Sequence, residues 1–585
     1  MDVSIANFFV PMVEYFKWHK GASEEIEVWA CGYAYNGCDF YSGDALAQMI
    51  TESVLDELDT GLNDFLRRLN GNWALVILTE GFLYAVSDRT RSFPLLYSEL
   101  NGALCISDYI TKVCSDKIIW RSEAVEDFLW AGYPTGTTTL VDGVNQIPAG
   151  MYLQYNINTK EKSLVEYFRF LPTNSDSDTE NQLSERLSEL LYESIMRIVK
   201  VARGKIIVPL SGGIDSRVIA ALLRKIGFDN VLCFSYGRKG NPESESSKKV
   251  AEVLGYEWHF IEYSPDTWAT CMFSQEMKDY VVYSCNGCSM PICSNWYAVK
   301  ALCESGKVCA GDTFIPGHAG DFLAGSHIPR EYSTNHRIID QENIAEHIVK
   351  KHFSLWPGPP PETILLRLLD DFPSIGNDTT LNNIEAASLY EMWDWRERQA
   401  KFIINSNRIY EFFRCNWLTP LWDSQLTDFY LTVPFRLRYK RTLFFHSSVE
   451  HVFSDKLSAL SDIPLATRCG FSPRQTLGLT QKELFWRLIR RMSQKMRRLL
   501  PIRHTLKMQN HALFWSHSFS NGKDPRQQTV RQVFENNGLG DVLNCSECDS
   551  IFKFLDMPVG YIHAFGLITL FALANMQDTL KRTKQ

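Results

Sequence analysis

The period of the apolar residues changes near residue 180. Upstream, short apolar runs separated by turn residues, over 27–34, 73–78, 82–86, 104–107 and 151–155, predict the strands of a sheet-rich layer. Residues 171–179, with Pro172 and a Ser/Asp/Thr cluster, read as a linker. From residue 182 helical spacing alternates with short apolar strands, giving helices over 185–201, 217–226 and 244–254 and strands over 205–210, 231–236 and 258–263. That alternation predicts an α/β unit on a parallel sheet, whose ligands belong at the carboxyl ends of the strands. The proline-rich 357–361 predicts a loop or insertion near the site, and from Asn382 the pattern is largely helical. Three segments result, 1–170, 182–460 and 461–585.

Composition narrows the class. At 585 residues the chain is too long for one core, and 45% apolar with 22% charged residues excludes a disordered or fibrous protein. A net charge of -8 argues against a coat for nucleic acid, so nucleic acid is not an expected partner. Residues 1–14 mix Asp2, Asn7 and Glu14 with apolar positions, unlike a secretory signal, so the expected location is the cytoplasm. The late apolar stretch 561–576 contains His563 and Asn575 and falls short of the roughly 20 residues that span a bilayer, so a buried helix is expected there. The 15 cysteines fit reduced thiols. Cys285/Cys288 and Cys545/Cys548 have the ligand count of a zinc site, but they lie too far apart for a compact zinc module, and scattered free thiols are the preferred reading.

One charge feature stands out. Within 482–507, Arg487, Arg490, Arg491, Lys495, Arg497, Arg498 and Arg503 accompany a single acid, Glu483, while Phe485, Leu488, Met492, Met496 and Leu499 recur at helical spacing. A helix packed on its domain with a solvated basic face is expected. A peripheral contact with a sugar nucleotide or lipid-linked saccharide at the inner membrane, and an RNA contact, are the two functional alternatives.

The sharpest chemical signal is Ser211-Gly212-Gly213-Ile214-Asp215-Ser216, between a predicted strand ending at Leu210 and a predicted helix. Two glycines let the backbone turn tightly while its N–H groups converge on phosphate oxygens, and the helix N-terminus favours an anion. Ser211 and Ser216 can donate hydroxyl hydrogen bonds, and Asp215 can hold Mg²⁺ against phosphates. No lysine follows as in a Walker loop, which suits cleavage between the α- and β-phosphates of ATP.

Together with Cys233-Phe234-Ser235-Tyr236-Gly237, Gly240, Pro242 and Glu243, then Gly317-His318-Ala319-Gly320-Asp321, and finally Pro420-Leu421-Trp422-Asp423 followed by Lys440, this loop resembles the ATP-pyrophosphatase domain of asparagine synthetases and their relatives. The resemblance implies an adenine-nucleotide α-hydrolase-like sheet using ATP and Mg²⁺. It assigns Asp215 and Asp321 to Mg²⁺; Leu210, Ser211, Gly212, Gly213, Ser216, Tyr236 and Gly317 to ATP; and Lys440 to stabilising the pentacoordinate phosphorus and acyl-adenylate. Neighbouring Arg436, Arg438 and Arg441 compete for that last role. His318 departs from the family, which has glutamate there; it either assists the attacking nitrogen or orients Asp321.

Gly32-Tyr33-Ala34-Tyr35-Asn36, Asp88-Arg89 with Pro94, Leu95 and Tyr97, and Pro148-Ala149-Gly150 are similar to the family's glutamine amidotransferase domain, implying an N-terminal-nucleophile αββα sandwich. That chemistry needs cysteine at position 2, and residue 2 is Asp2, so glutaminase activity is expected to be absent. Nitrogen would then come from ammonia, a separate glutaminase or an amine on the substrate.

Residues 317–329 and 396–413 look most like asparagine-synthetase-like proteins encoded with bacterial surface-polysaccharide genes, which implies amidation of a uronic-acid sugar. Arg396, Arg398, Lys401 and Arg408 are candidate cations for such a substrate, and their spacing equally allows a charged helix face. Asparagine synthesis from ammonia, macrolactam or β-lactam formation, and an ATP-binding scaffold or RNA-modifying relative are the alternatives.

Overall fold

The computed structural model describes residues 18–466 apart from 58–60, 116, 265–266, 268–269, 272–273, 334–338, 357 and 372–380, together with 3–4, 473–474 and 561–583. Asp2, the basic segment 482–507 and Cys545/Cys548 lie outside the described residues.

The N-terminal part holds β1 (Val3–Ser4), β2 (His19–Ala22), β3 (Glu27–Asn36), β4 (Asp39–Ser42), β5 (Asn70–Leu78), β6 (Phe82–Ser87), β7 (Leu96–Leu100), β8 (Ala103–Ser107), β9 (Asn145–Gln146), β10 (Met151–Asn156) and β11 (Lys162–Glu166). They form two sheets, one ordered β1-β8-β7-β9 and one ordered β11-β10-β6-β5-β3-β2 with β4 paired to β3. Every strand expected from the apolar runs is present. The strands the pattern did not show, β1, β2, β4, β7, β9 and β11, have at most five residues each, too few for a period to register. β5 is buried along most of its length because it pairs on both sides in mid-sheet, and the helix Asp44–Glu57 packs on β2, β3 and β4.

The segment 171–179 is no free tether. The Thr173 N–H donates to the Leu431 carbonyl and the Asp176 N–H to the Thr432 carbonyl, pinning it to the helix Ser424–Thr432. It ends at Thr179, whose side chain forms a reciprocal capping box with Gln182 and starts the helix Glu180–Val201.

Next come β12 (Ile206–Pro209), β13 (Val231–Gly237), β14 (Glu257–Glu262), β15 (Thr313–Phe314) and β16 (Asn416–Trp417), all parallel and ordered β14-β13-β12-β15-β16. Strand order runs outward from β12 through β13 to β14 and resumes on the other side at β15. The crevice beyond the carboxyl ends of β12 and β15 is therefore the switch point where such sheets take their ligands. The helix Asp215–Ile226 buries Val218, Ile219, Leu222 and Leu223, and the helix Pro242–Leu254 starts at Asn241, whose side chain accepts from the Ser244 N–H.

From Asn383 the described chain is mainly helical, but 395–412 is not one α-helix. It passes from a π-helix, Trp395–Ile403, through a 3₁₀ turn, Ile404–Asn407, to the short α-helix Arg408–Phe412. The stretch around 357–361 joins the helices Gln341–His352 and Glu362–Asp371. It is anchored on the N-terminal part, where the Leu355 N–H and Trp356 Nε1 donate to the Trp130 and Leu129 carbonyls. The late apolar stretch is indeed a helix, Tyr561–Thr583, packed on the helices Gln275–Cys285 and Ser122–Ala131 with Leu570, Phe571 and Leu573 buried. Among the described residues no helix is long and apolar enough to cross a membrane.

Candidate active site

The loop leaving β12 is drawn in by its own hydroxyls. Ser216 Oγ accepts from the Ser211 N–H at 3.1 Å and lies 3.1 Å from Ser211 Oγ, which in turn accepts from the Gly213 N–H at 3.2 Å. The Leu210 N–H donates to the Phe234 carbonyl, fixing the loop's exit from the sheet. At Ile214, the N-cap of Asp215–Ile226, no side-chain hydrogen bond caps the helix, which leaves its first N–H groups to an anionic ligand. Tyr236, at the end of neighbouring β13, stacks on Tyr263 with ring centroids 5.2 Å apart and forms an aromatic wall beside the loop.

β15 delivers the second half of the site. A Cβ on Gly317 would lie 3.0 Å from the Ser216 nitrogen, and one on Gly320 would lie 2.4 Å from Asp215 Oδ1. Only glycine lets 317–320 come this close to the start of the helix. The approach sets Asp321 near enough to Asp215 that its charge acts on the Asp215 carboxyl. Burial raises the Asp215 pKa, with Arg441 pulling it back and Asp321 adding to the rise.

Arg441 is the cation that meets this pair. Its guanidinium reaches both Asp215 oxygens, through Nη1 at 3.1 Å and through a shorter Nη2 contact, and the side chain is buried. Lys440 next to it lies over the Tyr439 ring with Nζ 5.3 Å from the centroid. Both have positive φ, 60° for Lys440 and 67° for Arg441, so the backbone turns sharply here and sends successive side chains different ways. The resemblance assigned Lys440 to the reacting phosphorus; the structure adds its neighbour Arg441, on Asp215, whose only signal in the sequence was membership of the same basic run.

Asp321 is held on both sides. Its Oδ1 accepts from the Phe322 N–H at 2.9 Å, and its Oδ2 lies 3.3 Å from His327 Nε2. His327 Nδ1 lies 2.6 Å from Asp394 Oδ2, and Asp394 Oδ1 accepts from Gln399 at 2.9 Å. Burial disfavours charge on His327, but Asp394 and Asp321 outweigh it and raise its pKa. For Asp321, which is half-exposed, partial loss of solvent would raise the pKa, but His327 together with Arg441 holds the carboxyl below its usual range. His318 behaves oppositely: burial, against the pull of Asp321, lowers its pKa to about 4, and both ring nitrogens lie 3.4 Å from Ser406 Oγ.

The four proposed substrate cations separate. Lys401 is fully buried, with its three donors spent on the Pro134 and Gly136 carbonyls and Glu397. Arg408 is clamped to Glu411 at 2.7 Å between the rings of Phe93 and Tyr283. Neither forms part of a solvated charged face: Lys401 is buried, and Arg408 is mostly covered and paired. Arg396 and Arg398 stay half-buried, and Arg398 is close enough to Asp321 and Asp394 to help hold both carboxyls down.

Arg217 was also missed in sequence. Buried in the helix behind the loop, it donates to the Leu460, Ile463 and Pro464 carbonyls and brings Ala466 over Gly212, where a Cβ would lie 2.7 Å from the Ala466 side chain. Among the described residues no three His, Cys, Asp or Glu converge as a metal cage. Two carboxylates beside a phosphate-type loop are nonetheless the protein's usual share of a Mg²⁺ site, completed by phosphate oxygens and water, so the donor set fits that ion. Cys285 and Cys288 are buried, and burial pushes the Cys285 thiol up to about 12.

The switch-point loop, its uncapped helix and the converging carboxylates define an open α/β sheet with its site beyond the strand ends. Residues 186–444 match the model of the asparagine synthase family. The chain is also similar to a probable asparagine synthetase [glutamine-hydrolyzing] of Acanthamoeba polyphaga mimivirus, 26% identical over 216 residues, covering 34% of this chain and 36% of that protein. It thus spans little more than a third of that relative's length. Among solved structures it is similar to the NH3-dependent NAD synthetase from Campylobacter jejuni (16% identity, 26% of this chain and 61% of that one, TM-score 0.18). A glutamine-dependent NAD+ synthetase from Acinetobacter baumannii in complex with ADP gives 16% identity over 44% of this chain and 51% of that one, with a TM-score of 0.17.

Proposed function

We propose that this protein is an ATP-dependent, AMP-forming ligase that adenylates a substrate carboxylate and then transfers nitrogen to it as an amide. The observation that carries the reading is the meeting of Asp215, at the start of a helix without a side-chain cap, with Asp321 across a glycine approach so close that a Cβ on Gly320 would displace Asp215.

In this reading the loop N–H groups and the Ser211 and Ser216 hydroxyls cradle the ATP phosphates. Mg²⁺, held by Asp215 and Asp321, would offset phosphate charge during the reaction. Arg441 must leave Asp215 as the nucleotide enters, and it is then poised, with Lys440, to meet charge on the departing pyrophosphate. A substrate carboxylate oxygen attacks the α-phosphorus, the bridging bond to the β-phosphate breaks, and pyrophosphate leaves. The nitrogen next attacks the acyl carbon, the bond to AMP breaks, and one proton leaves the nitrogen. His318, neutral at physiological pH because of its depressed pKa, is the acceptor placed for that proton.

A uronic-acid sugar for surface polysaccharide is the proposed carboxylate, with Arg396 and Arg398 as its cations and a lipid-linked form bringing the protein to the inner membrane from the cytoplasm. Asp2 in place of a nucleophilic cysteine makes ammonia or a separate glutaminase the nitrogen source. Asparagine synthesis from ammonia is the second reading, favoured by the family match over 186–444.

Pyrophosphate release measured over a panel of carboxylates, aspartate and sugar uronates included, tests the proposal. Release with at least one carboxylate, abolished by Asp215→Ala, is expected. If no member of the panel gives release that depends on Asp215, the ligase reading fails.

A further inference from the structure

The helix Asn383–Asp394 ends in a fully buried carboxylate, Asp394, whose oxygens are spent on His327 and Gln399. His327 turns its other nitrogen outward, onto Asp321 Oδ2. Phe322 meets the ring edge-on with centroids 5.9 Å apart, and Lys351 Nζ donates to the His327 backbone carbonyl at 2.7 Å, which holds the main chain there. Asp321 has 49% of its side chain exposed, so solvation alone would satisfy it, and a buried carboxylate–imidazole pair behind it is not needed for solubility. The pair does remove freedom from that carboxylate. With Oδ1 on the Phe322 N–H and Oδ2 on His327, each carboxylate oxygen of Asp321 has a partner that restricts how the group can turn.

We propose that His327, held by Asp394, is a positioning residue that fixes the Asp321 carboxylate for a divalent cation. The inference rests on the reading of Asp321 as a metal carboxylate in the proposed ligase. It gives the histidine a role that neither its place in the sequence nor the family match assigns. It also ties the site to the π-helix Trp395–Ile403, because Gln399 of that helix holds Asp394 while Arg398 lies beside it. Hydrogen-bonded partners behind a liganding group orient it, and their removal weakens metal binding by roughly 10–100-fold.

Mn²⁺ serves as the probe, with the full chain bound to α,β-methylene-ATP and binding read by electron paramagnetic resonance. His327→Ala is expected to raise the Mn²⁺ half-saturation concentration by about 10–100-fold while leaving metal-free binding of the nucleotide analogue unchanged. His327→Gln, whose amide still reaches Asp321, is expected to recover most of that loss, and Asp394→Asn to fall between. Thermal melts verify folding; where His327→Ala does not fold, the near-isosteric Asp394→Asn together with His327→Gln decides. Parent-like Mn²⁺ binding in the folded variants overturns the proposal, as does an equal loss of metal and metal-free nucleotide binding. A parent protein that binds Mn²⁺ with the analogue but releases no pyrophosphate with any carboxylate sinks the ligase reading alone. A parent that binds no Mn²⁺ sinks both.

Discussion

Single residues in this site are set by what cannot fit beside them. Gly320 is the clearest case, because a Cβ there would meet Asp215 Oδ1 at 2.4 Å and Leu421 at 2.7 Å. Gly320→Ala is expected to leave the fold intact, since a carboxylate can swing aside, yet to lower pyrophosphate release by roughly 100-fold through displacement of Asp215. His318 carries a different cost. Its folded pKa of about 4 lies below the ordinary 6.5, so between those values the unfolded chain binds more protons than the folded one. Stability therefore falls as pH drops from about 6.5 towards about 4. Acid unfolding of His318→Gln, followed by circular dichroism, is expected to have its midpoint at lower pH than the parent. The loop residues 211–216, the glycines and both carboxylates were visible as letters because their chemistry is local. Arg441 was visible only as one of several cations around Lys440, since nothing in such a run says which of them reaches Asp215.

Elements were legible in proportion to their length. The helices Glu180–Val201 and Asp215–Ile226 and the strands β12 and β13 follow from apolar spacing within one or two residues at most ends. β15, which carries 317–321 into the site, has two residues and no readable period. The run 396–413 allowed a helix face of four cations, whereas through the π and 3₁₀ turns Lys401 is buried and Arg408 is paired with Glu411. Such changes of helix type depend on packing from all sides and leave no signature in spacing. The segment 460–466 is held over the loop by one buried guanidinium, so Arg217→Met should strand three carbonyl acceptors. A loss of about 1–3 kcal/mol in urea unfolding is expected, with weaker ATP binding measured by calorimetry.

At the scale of the molecule, the N-terminal sheets and the parallel sheet are joined through many buried polar contacts, among them Asn70 to Asp423 at 2.9 Å and Asn72 to Thr419 at 3.0 Å. The N-terminal part is thus packed as structure beside the site, whatever its chemistry. Sequence by itself determined the change from sheet-rich to α/β architecture, the phosphate-type loop and the two carboxylates, all written in segments of a few residues where local sterics and hydrogen bonding decide. Tertiary structure alone decided which cation reaches Asp215, 226 positions away in the chain, and which buried acid stands behind His327, 67 positions away. Those contacts depend on how distant elements are brought together in the fold, and no local period encodes that.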